Sequence, residues 1–351
     1  MKKHSSATKV SVITAISMGA CIAACILAIN GFSNVALADI SSTTQAPIAT
    51  TTGFVMTSSG YVSFVSTTTN AVPDIAYALP QGAQWPAIKA VSAIVYDPVH
   101  NQVIYEKNAD AVRSMASLVK LMTAAVADTL LNNSPRLMSQ PIKIQESDNE
   151  NIADINLKDG TSWSPEALLQ YMLVGSSNKA AENIASDMIP RSSFISLMNF
   201  NARNMGLTNT LFNNPSGLPI VPKPTAKVPK PAQIEGGYTT ARELAHMMWN
   251  IIQAHSALLG ITRAATASFI AGKNNIVQVQ NTNKLIDNLP IAYGKTGFTD
   301  EAGGNLAIVI QKNASSTPYV IVVLGSTEDD RFNDTAALAT TTMSVPALWQ
   351  Q

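Results

Sequence analysis

The sequence predicts an α/β (α+β) fold: an antiparallel sheet formed from both chain ends, flanked by helices, with a mainly helical subdomain. Three observations predict it. Two β-rich runs joined by a turn open the folded part, three β-rich runs close it, and the strongly apolar helical segments lie between. Strands that follow one another through short turns pair as hairpins. A helical block inserted between the two sets must then cover the sheet they share.

The elements follow in chain order. Lys2, Lys3 and Lys9 flank the start of an apolar run from Val10 to Ile29, and Ala36-Leu37-Ala38 offers a small-x-small cleavage pattern. Residues 1–38 therefore read as a signal peptide or membrane anchor. The run is long enough to span a bilayer, and Ile22-Ala23-Ala24-Cys25 resembles a lipid-attachment site. Cleavage, retention as an N-terminal anchor and lipidation all stay open, and each places the rest of the chain across the inner membrane, periplasmic or exported. Residues 39–85 are rich in Ser and Thr and read as a linker, in which Phe54–Met56 and Tyr61–Val65 are candidate short strands. The catalytic domain is expected over 86–351.

Within that domain, Val91–Tyr96 and Gln102–Glu106 are β-rich, and Asp97-Pro98-Val99-His100-Asn101 between them has turn composition. A helix is predicted from about Ser117 to Leu131. It is apolar on nearly all sides and so belongs at the centre of the core. Ser164-Pro165-Glu166 supplies a capping residue, a proline in the first turn and an acid, which opens a helix through Leu173. Another helix starts near Lys179. Residues 219–231 hold five prolines and form a stiff loop. Tyr238-Thr239-Thr240 leads into a helix bearing Leu244, Met247, Met248 and Ile251. Ile291–Phe298, Asn305–Gln311 and Tyr319–Gly325 read as strands, and a last helix spans about Arg331 to Met343.

Composition narrows the chemistry. Lys plus Arg balances Asp plus Glu at 23 each, with no basic cluster, so no nucleic-acid partner is expected. Both cysteines, Cys21 and Cys25, lie in the N-terminal apolar run, which excludes a disulfide framework or thiolate metal site beyond it. The four histidines, His4, His100, His246 and His255, lack metal-ligand spacing with nearby acids, so no metal or other cofactor is expected. There is also no Gly-x-Ser-x-Gly elbow, so a hydrolase here needs a base other than histidine.

Ser117-Leu118-Val119-Lys120 offers one. Three residues apart on a helix, the two side chains share a face, and Ser117 sits where free N–H groups favour developing negative charge. Burial in an apolar helix lowers a lysine's pKa until it can act as a neutral base. The alternative is a capping serine followed by a lysine whose stem is buried and whose head reaches water. Lys295-Thr296-Gly297 occurs once, in a β-rich run: a cation, a hydroxyl suited to a carboxylate, and a glycine that lets a substrate backbone lie close. A third element of the form Ser-x-Asn has two candidates. Ser147-Asp148-Asn149 lies in acidic, polar surroundings, whereas Ser176-Ser177-Asn178 joins two buried helices tightly enough to hold a hydroxyl and an amide in a cleft. Ser176 and Asn178 are taken.

In their order along the chain the three elements form the signature of β-lactamases and penicillin-binding proteins. Over about 88–345 the chain resembles the low-molecular-mass penicillin-binding proteins, the serine D-alanyl-D-alanine peptidase family. The resemblance is strengthened by Asn108-Ala109-Asp110, Met115–Ala124, Pro215-Ser216-Gly217-Leu218, Thr240–Leu244, Thr296–Gly303 and the Arg331 region. It implies a β-lactamase/transpeptidase-like fold, a peptidoglycan peptide as substrate and β-lactams as inhibitors. It also implies roles: Ser117 as nucleophile, Lys120 as its base, Ser176 as proton relay, Asn178 on the substrate amide, and Lys295 supporting Lys120 and Ser176. Thr296 and Arg331 would bind the terminal carboxylate, Gly297 would line the strand, and the N–H groups of Ser117 and Phe298 would form the oxyanion hole.

Many relatives carry a second β-rich domain and a C-terminal amphipathic anchor, for which this sequence leaves no room after its last helix. That and Asn281-Thr282-Asn283 resemble the short members that cut cross-links as endopeptidases. Two alternatives remain: a β-lactamase-like hydrolase using Glu166, and a catalytically silent wall-binding protein. Glu166 precedes the Ser-x-Asn element and reads as a helix start. The intact serine, lysines and asparagine argue against the silent protein.

Overall fold

The computed structural model describes residues 84–349, apart from 147–151, 223, 225–231 and 272–274, together with Leu79 and two short strands, β1 (Gly53–Met56) and β2 (Val62–Val65). The signal-peptide reading of 1–38, Ser147-Asp148-Asn149 and most of both the linker and the proline-rich loop lie outside the described residues. β1 and β2 pair antiparallel, so both strand candidates in the linker form. Packing begins slightly before residue 86: Leu79 and Trp85 lie against the core, with the Trp85 ring 4.9 Å from that of Tyr105.

β3 (Ser92–Asp97) and β4 (Gln102–Lys107) form the expected first hairpin. Its turn is held by Asp97 Oδ1, which accepts from the N–H groups of Val99 and His100. β5 (Arg113–Ser114) leads into a 3-10 turn, Ala116–Leu118, and then helix α1 (Val119–Asn132). Short elements follow: α2 (Pro135–Ser139), β6 (Ile142–Lys143) and β7 (Ser162–Trp163). The helical block continues as α3 (Pro165–Gly175), α4 (Asn178–Met188) and α5 (Arg191–Asn204). β8 (Leu211–Phe212) pairs with β9 (Gly237–Thr239), which also pairs with β5, and α6 (Ala241–Leu259) follows. A hairpin, β10 (Thr266–Ala271) with β11 (Asn275–Gln280), precedes β12 (Ile291–Thr299), β13 (Gly303–Ile310) and β14 (Tyr319–Ser326). α7 (Asp330–Ser344) and α8 (Pro346–Trp349) end the described chain.

The main sheet has the order β12-β13-β14-β3-β4 and is antiparallel throughout. The pairing of β14 with β3 joins the two ends of the domain, as the sequence predicted. Both faces are covered. Ala307, Val309, Val320 and Val322 pack toward the helical block, while their neighbours Leu306, Ile308, Ile321 and Val323 pack against Phe332, Leu338 and Ala339 of α7. Side chains alternate across a strand, so a strand covered on both faces reads as an unbroken apolar run. α1 is buried from Val119 through Ala127, which makes it the central helix the sequence called for. The start of α3 has the expected cap: Ser164 Oγ accepts from the Ala167 N–H, with Pro165 in the first turn.

Several elements were not foreseen, among them α2, α5, the β10–β11 hairpin and the two-residue strands β5 to β8. α5 shows only a narrow apolar stripe, Phe194, Met198 and Ala202, amid Ser and Asn. In β10–β11 the alternation is real, with Ala267, Phe269 and Ala271 facing inward, but Ile270 and Ile276 on the exposed face blur the pattern.

Candidate active site

The 3-10 turn before α1 sets aside the capping alternative: Ser117 does not cap the helix with its side chain but sits inside Ala116–Leu118, two residues ahead of the first α-helical residue. Ala116 is held at φ 45°, a conformation rare for a non-glycine residue and costing about 1 kcal/mol or more. Two glycines make room for this turn. A Cβ on Gly217, which has φ +83°, would lie 2.0 Å from the Ala116 carbonyl oxygen. One on Gly297 would lie 2.9 Å from the Met115 carbonyl oxygen and 3.2 Å from the Ser117 nitrogen. The glycine of Lys295-Thr296-Gly297 thus lets β12 pass against the backbone of Met115 and Ser117.

Lys120 is fully buried, which overturns the alternative of a lysine reaching water. Its Nζ lies 2.8 Å from Ser117 Oγ, 2.8 Å from Asn178 Oδ1 and 2.5 Å from the carbonyl oxygen of Ser216. Burial lowers its pKa to about 7, and the carboxylates of Asp154 and Glu182 partly oppose that shift. Ser216 belongs to the Pro215–Leu218 stretch, but only the fold shows that its backbone carbonyl faces the amine.

Ser176 and Asn178 lie on either side of the junction between α3 and α4. Ser176 ends α3 in the left-handed region, at φ 61°, and Ser177 caps α4 through the Ala180 N–H. Lys295 Nζ, on β12, donates to Ser176 Oγ at 2.7 Å and to the Thr296 carbonyl at 3.0 Å. Burial first, then Lys120 and Arg331, hold the pKa of Lys295 well below the usual lysine value.

Thr296 Oγ1 is 2.5 Å from Thr282 Oγ1, which places Asn281-Thr282-Asn283 beside the same strand. Arg331, at the start of α7, donates from Nη1 to the Gly297 carbonyl and lies 5.8 Å from the Phe298 ring and 4.7 Å from that of Phe332. Its Nε is buried without a hydrogen-bond partner. β12 is an edge strand of the sheet, and Phe298, near its end, is exposed. The nine residues singled out from sequence therefore gather along one line of contacts from Lys120 to Arg331. Glu166 does not join them. It lies in the first turn of α3 beside Gln170 and lines a separate cavity with Asp128 and His255.

Asp154 and Glu182 were missed. Asp154 belongs to a 3-10 turn without a motif, and Glu182 resembles any solvated acid on a helix. A cavity of about 750 Å³ adjoins the cluster, sharing Asn178 and Ser216 with it and lined also by Glu182, Arg191, Asn214 and Ile220.

Residues 80–328 match the family described as D-alanyl-D-alanine carboxypeptidase. The D-alanyl-D-alanine endopeptidase of Escherichia coli K12 is 30% identical over 251 residues, covering 69% of this chain and 73% of that protein. The D-alanyl-D-alanine endopeptidase of Pseudomonas aeruginosa PAO1 is 29% identical over 265 residues, covering 74% and 78%. Among solved structures, penicillin-binding protein D2 of Listeria monocytogenes in its ampicillin-bound form aligns with a TM-score of 0.62 at 27% identity, covering 73% of this chain and 98% of that one.

Proposed function

This chain belongs to the D-alanyl-D-alanine carboxypeptidase family, and we propose that it is a serine-type D-alanyl-D-alanine peptidase that hydrolyses peptidoglycan peptides through an acyl-enzyme. The observation that carries the reading is the buried 2.8 Å contact between Lys120 Nζ and Ser117 Oγ. An amine with a pKa of about 7 is largely neutral just above neutrality and can accept the hydroxyl's proton.

Ser117 Oγ then attacks the carbonyl carbon after a D-alanine. The N–H groups of Ser117 and Phe298 hold the oxyanion, and the close passage of β12 at Gly297 favours that arrangement. The leaving amine takes its proton through Ser176, which Lys295 orients. Water next cleaves the ester, with Lys120 again drawing off a proton. Asn178 steadies the substrate amide. Thr296 and Arg331 receive the terminal carboxylate, and the bond from Arg331 Nη1 to the Gly297 carbonyl holds the guanidinium beside that strand. The open edge of β12 accepts an extended peptide as an added strand, and the adjoining cavity gives room for the rest of the stem.

A β-lactam acylates the same serine and stays on it. Both relatives named above are endopeptidases, which favours cleavage of D-alanyl cross-links over trimming of free ends. Residues 1–38 direct the chain across the inner membrane, and either a retained anchor or a lipid would tether it there.

The test is incubation of the purified protein with a fluorescent penicillin, with Ser117→Ala as control. A lasting adduct on the native chain alone is expected. Rapid turnover of the drug would point to a lactamase, and no adduct to a silent wall binder. Digestion of cross-linked and uncross-linked muropeptides then separates endopeptidase from carboxypeptidase.

A further inference from the structure

One buried carboxylate beside the cluster has no place in the scheme above. Asp154, in the 3-10 turn Ile152–Asn156, is 1% exposed. Its Oδ1 accepts a short hydrogen bond from Ser177 Oγ and a second, at 3.2 Å, from the backbone N–H of Lys179. Those two residues bracket Asn178, whose Oδ1 meets Lys120 Nζ at 2.8 Å. Ser177 is also the cap of α4, and Ser176, just before it, sits in a left-handed conformation against Lys295. The tripeptide Ser176-Ser177-Asn178 is therefore strained at one end, carries a functional side chain at each end, and is gripped in the middle by a single carboxylate. A carboxylate withdrawn so far from water is costly unless its charge and hydrogen bonds are used.

We propose that Asp154 is a positioning residue for the reaction: it clamps the Ser-x-Asn turn through Ser177 and Lys179, and places a buried negative charge that acts on Lys120. The proposal rests on the peptidase reading and goes beyond its signature, since Asp154 lies outside all three motifs.

The charged groups bearing on Lys120 are Asp154 and Glu182, which favour its protonated form, and Lys295, itself pressed by Arg331. Removing the Asp154 charge alone leaves Lys120 less able to hold a proton. The free amine is then present at lower pH, so the rising limb of the acylation profile moves toward acid.

Asp154→Asn keeps the shape and one acceptor oxygen; Asp154→Ala removes clamp and charge together. Pre-steady-state acylation by penicillin would be measured from pH 5 to 9 on both variants and the native protein. For Asp154→Asn the midpoint is expected to fall by about one pH unit, equivalent to a tenfold change in the proton affinity of Lys120. For Asp154→Ala the plateau rate is expected to fall about tenfold or more as Asn178 and Ser176 lose their register. A midpoint unmoved in a folded Asp154→Asn variant overturns the proposal whatever Asp154→Ala does, including failing to fold. Failure of the native protein to acylate at all would instead sink the peptidase reading.

Discussion

Ser117 and Lys120 were recognisable because three residues on a helix bring two side chains to one face, and that geometry is local. What they do depends on how dry Lys120 is, and that is not local. With its pKa lowered to about 7 by burial, the base form grows as pH rises through that value. The acylation rate should therefore climb between roughly pH 6 and 8 and level off above. A profile flat across that window would remove lysine from the mechanism. Lys120→Ala should fold yet lose acylation by about three orders of magnitude or more, as loss of a base from a coupled catalytic unit does. Circular dichroism and adduct yield together check this. Arg331 is a simpler case. If it meets the substrate carboxylate, Arg331→Ala should raise KM for D-alanine-terminated peptides more than for esters lacking that carboxylate, and steady-state kinetics on the two substrates decides it.

At the scale of elements, the site depends on two backbones touching. β12 and the Pro215–Leu218 loop both press on the turn before α1, and only glycine allows it at 217 and 297. Gly217→Ala would set a methyl group 2.0 Å from a carbonyl oxygen at a φ that side chains avoid. We expect a loss of about 2 kcal/mol or more in unfolding free energy and a larger proportional loss of acylation, because the displaced turn carries Ser117. An unchanged melting temperature and adduct rate would contradict this account. The strong elements, α1, α3 and the strands of the main sheet, were legible because tertiary packing and local pattern agree in them. α5 and the β10–β11 hairpin were not, since α5 buries only a few widely spaced apolar residues and the hairpin carries Ile270 and Ile276 on its exposed face.

Across the whole molecule, Asp334 ties the ends of the domain together. On α7, it accepts from the N–H groups of Lys89 and Ala90 just before β3, and from Ser326 Oγ at the end of β14. Asp334→Ala would leave these donors unpaired, two of them in a buried seam, and should lower stability by about 3 kcal/mol. Urea titration would show it as a lower midpoint. The acylation profile of the folded variant should keep its midpoint, because Asp334 does not bear on Lys120. A stability equal to the native protein's would mean that water replaces the lost carboxylate.

The amino-acid sequence alone determined the order of elements, the central helix, the joining of the two chain ends in one antiparallel sheet, and the three short motifs. These follow from periodicity and turn chemistry, which act over a few residues. Tertiary structure alone decided how dry Lys120 is, that a backbone carbonyl at Ser216 faces it, that burial works against the charge on Lys295, and that Asp154 and Glu182 act on Lys120. Solvent exclusion and Coulomb fields depend on distances through space between residues far apart in the chain, and no spacing along the chain encodes them.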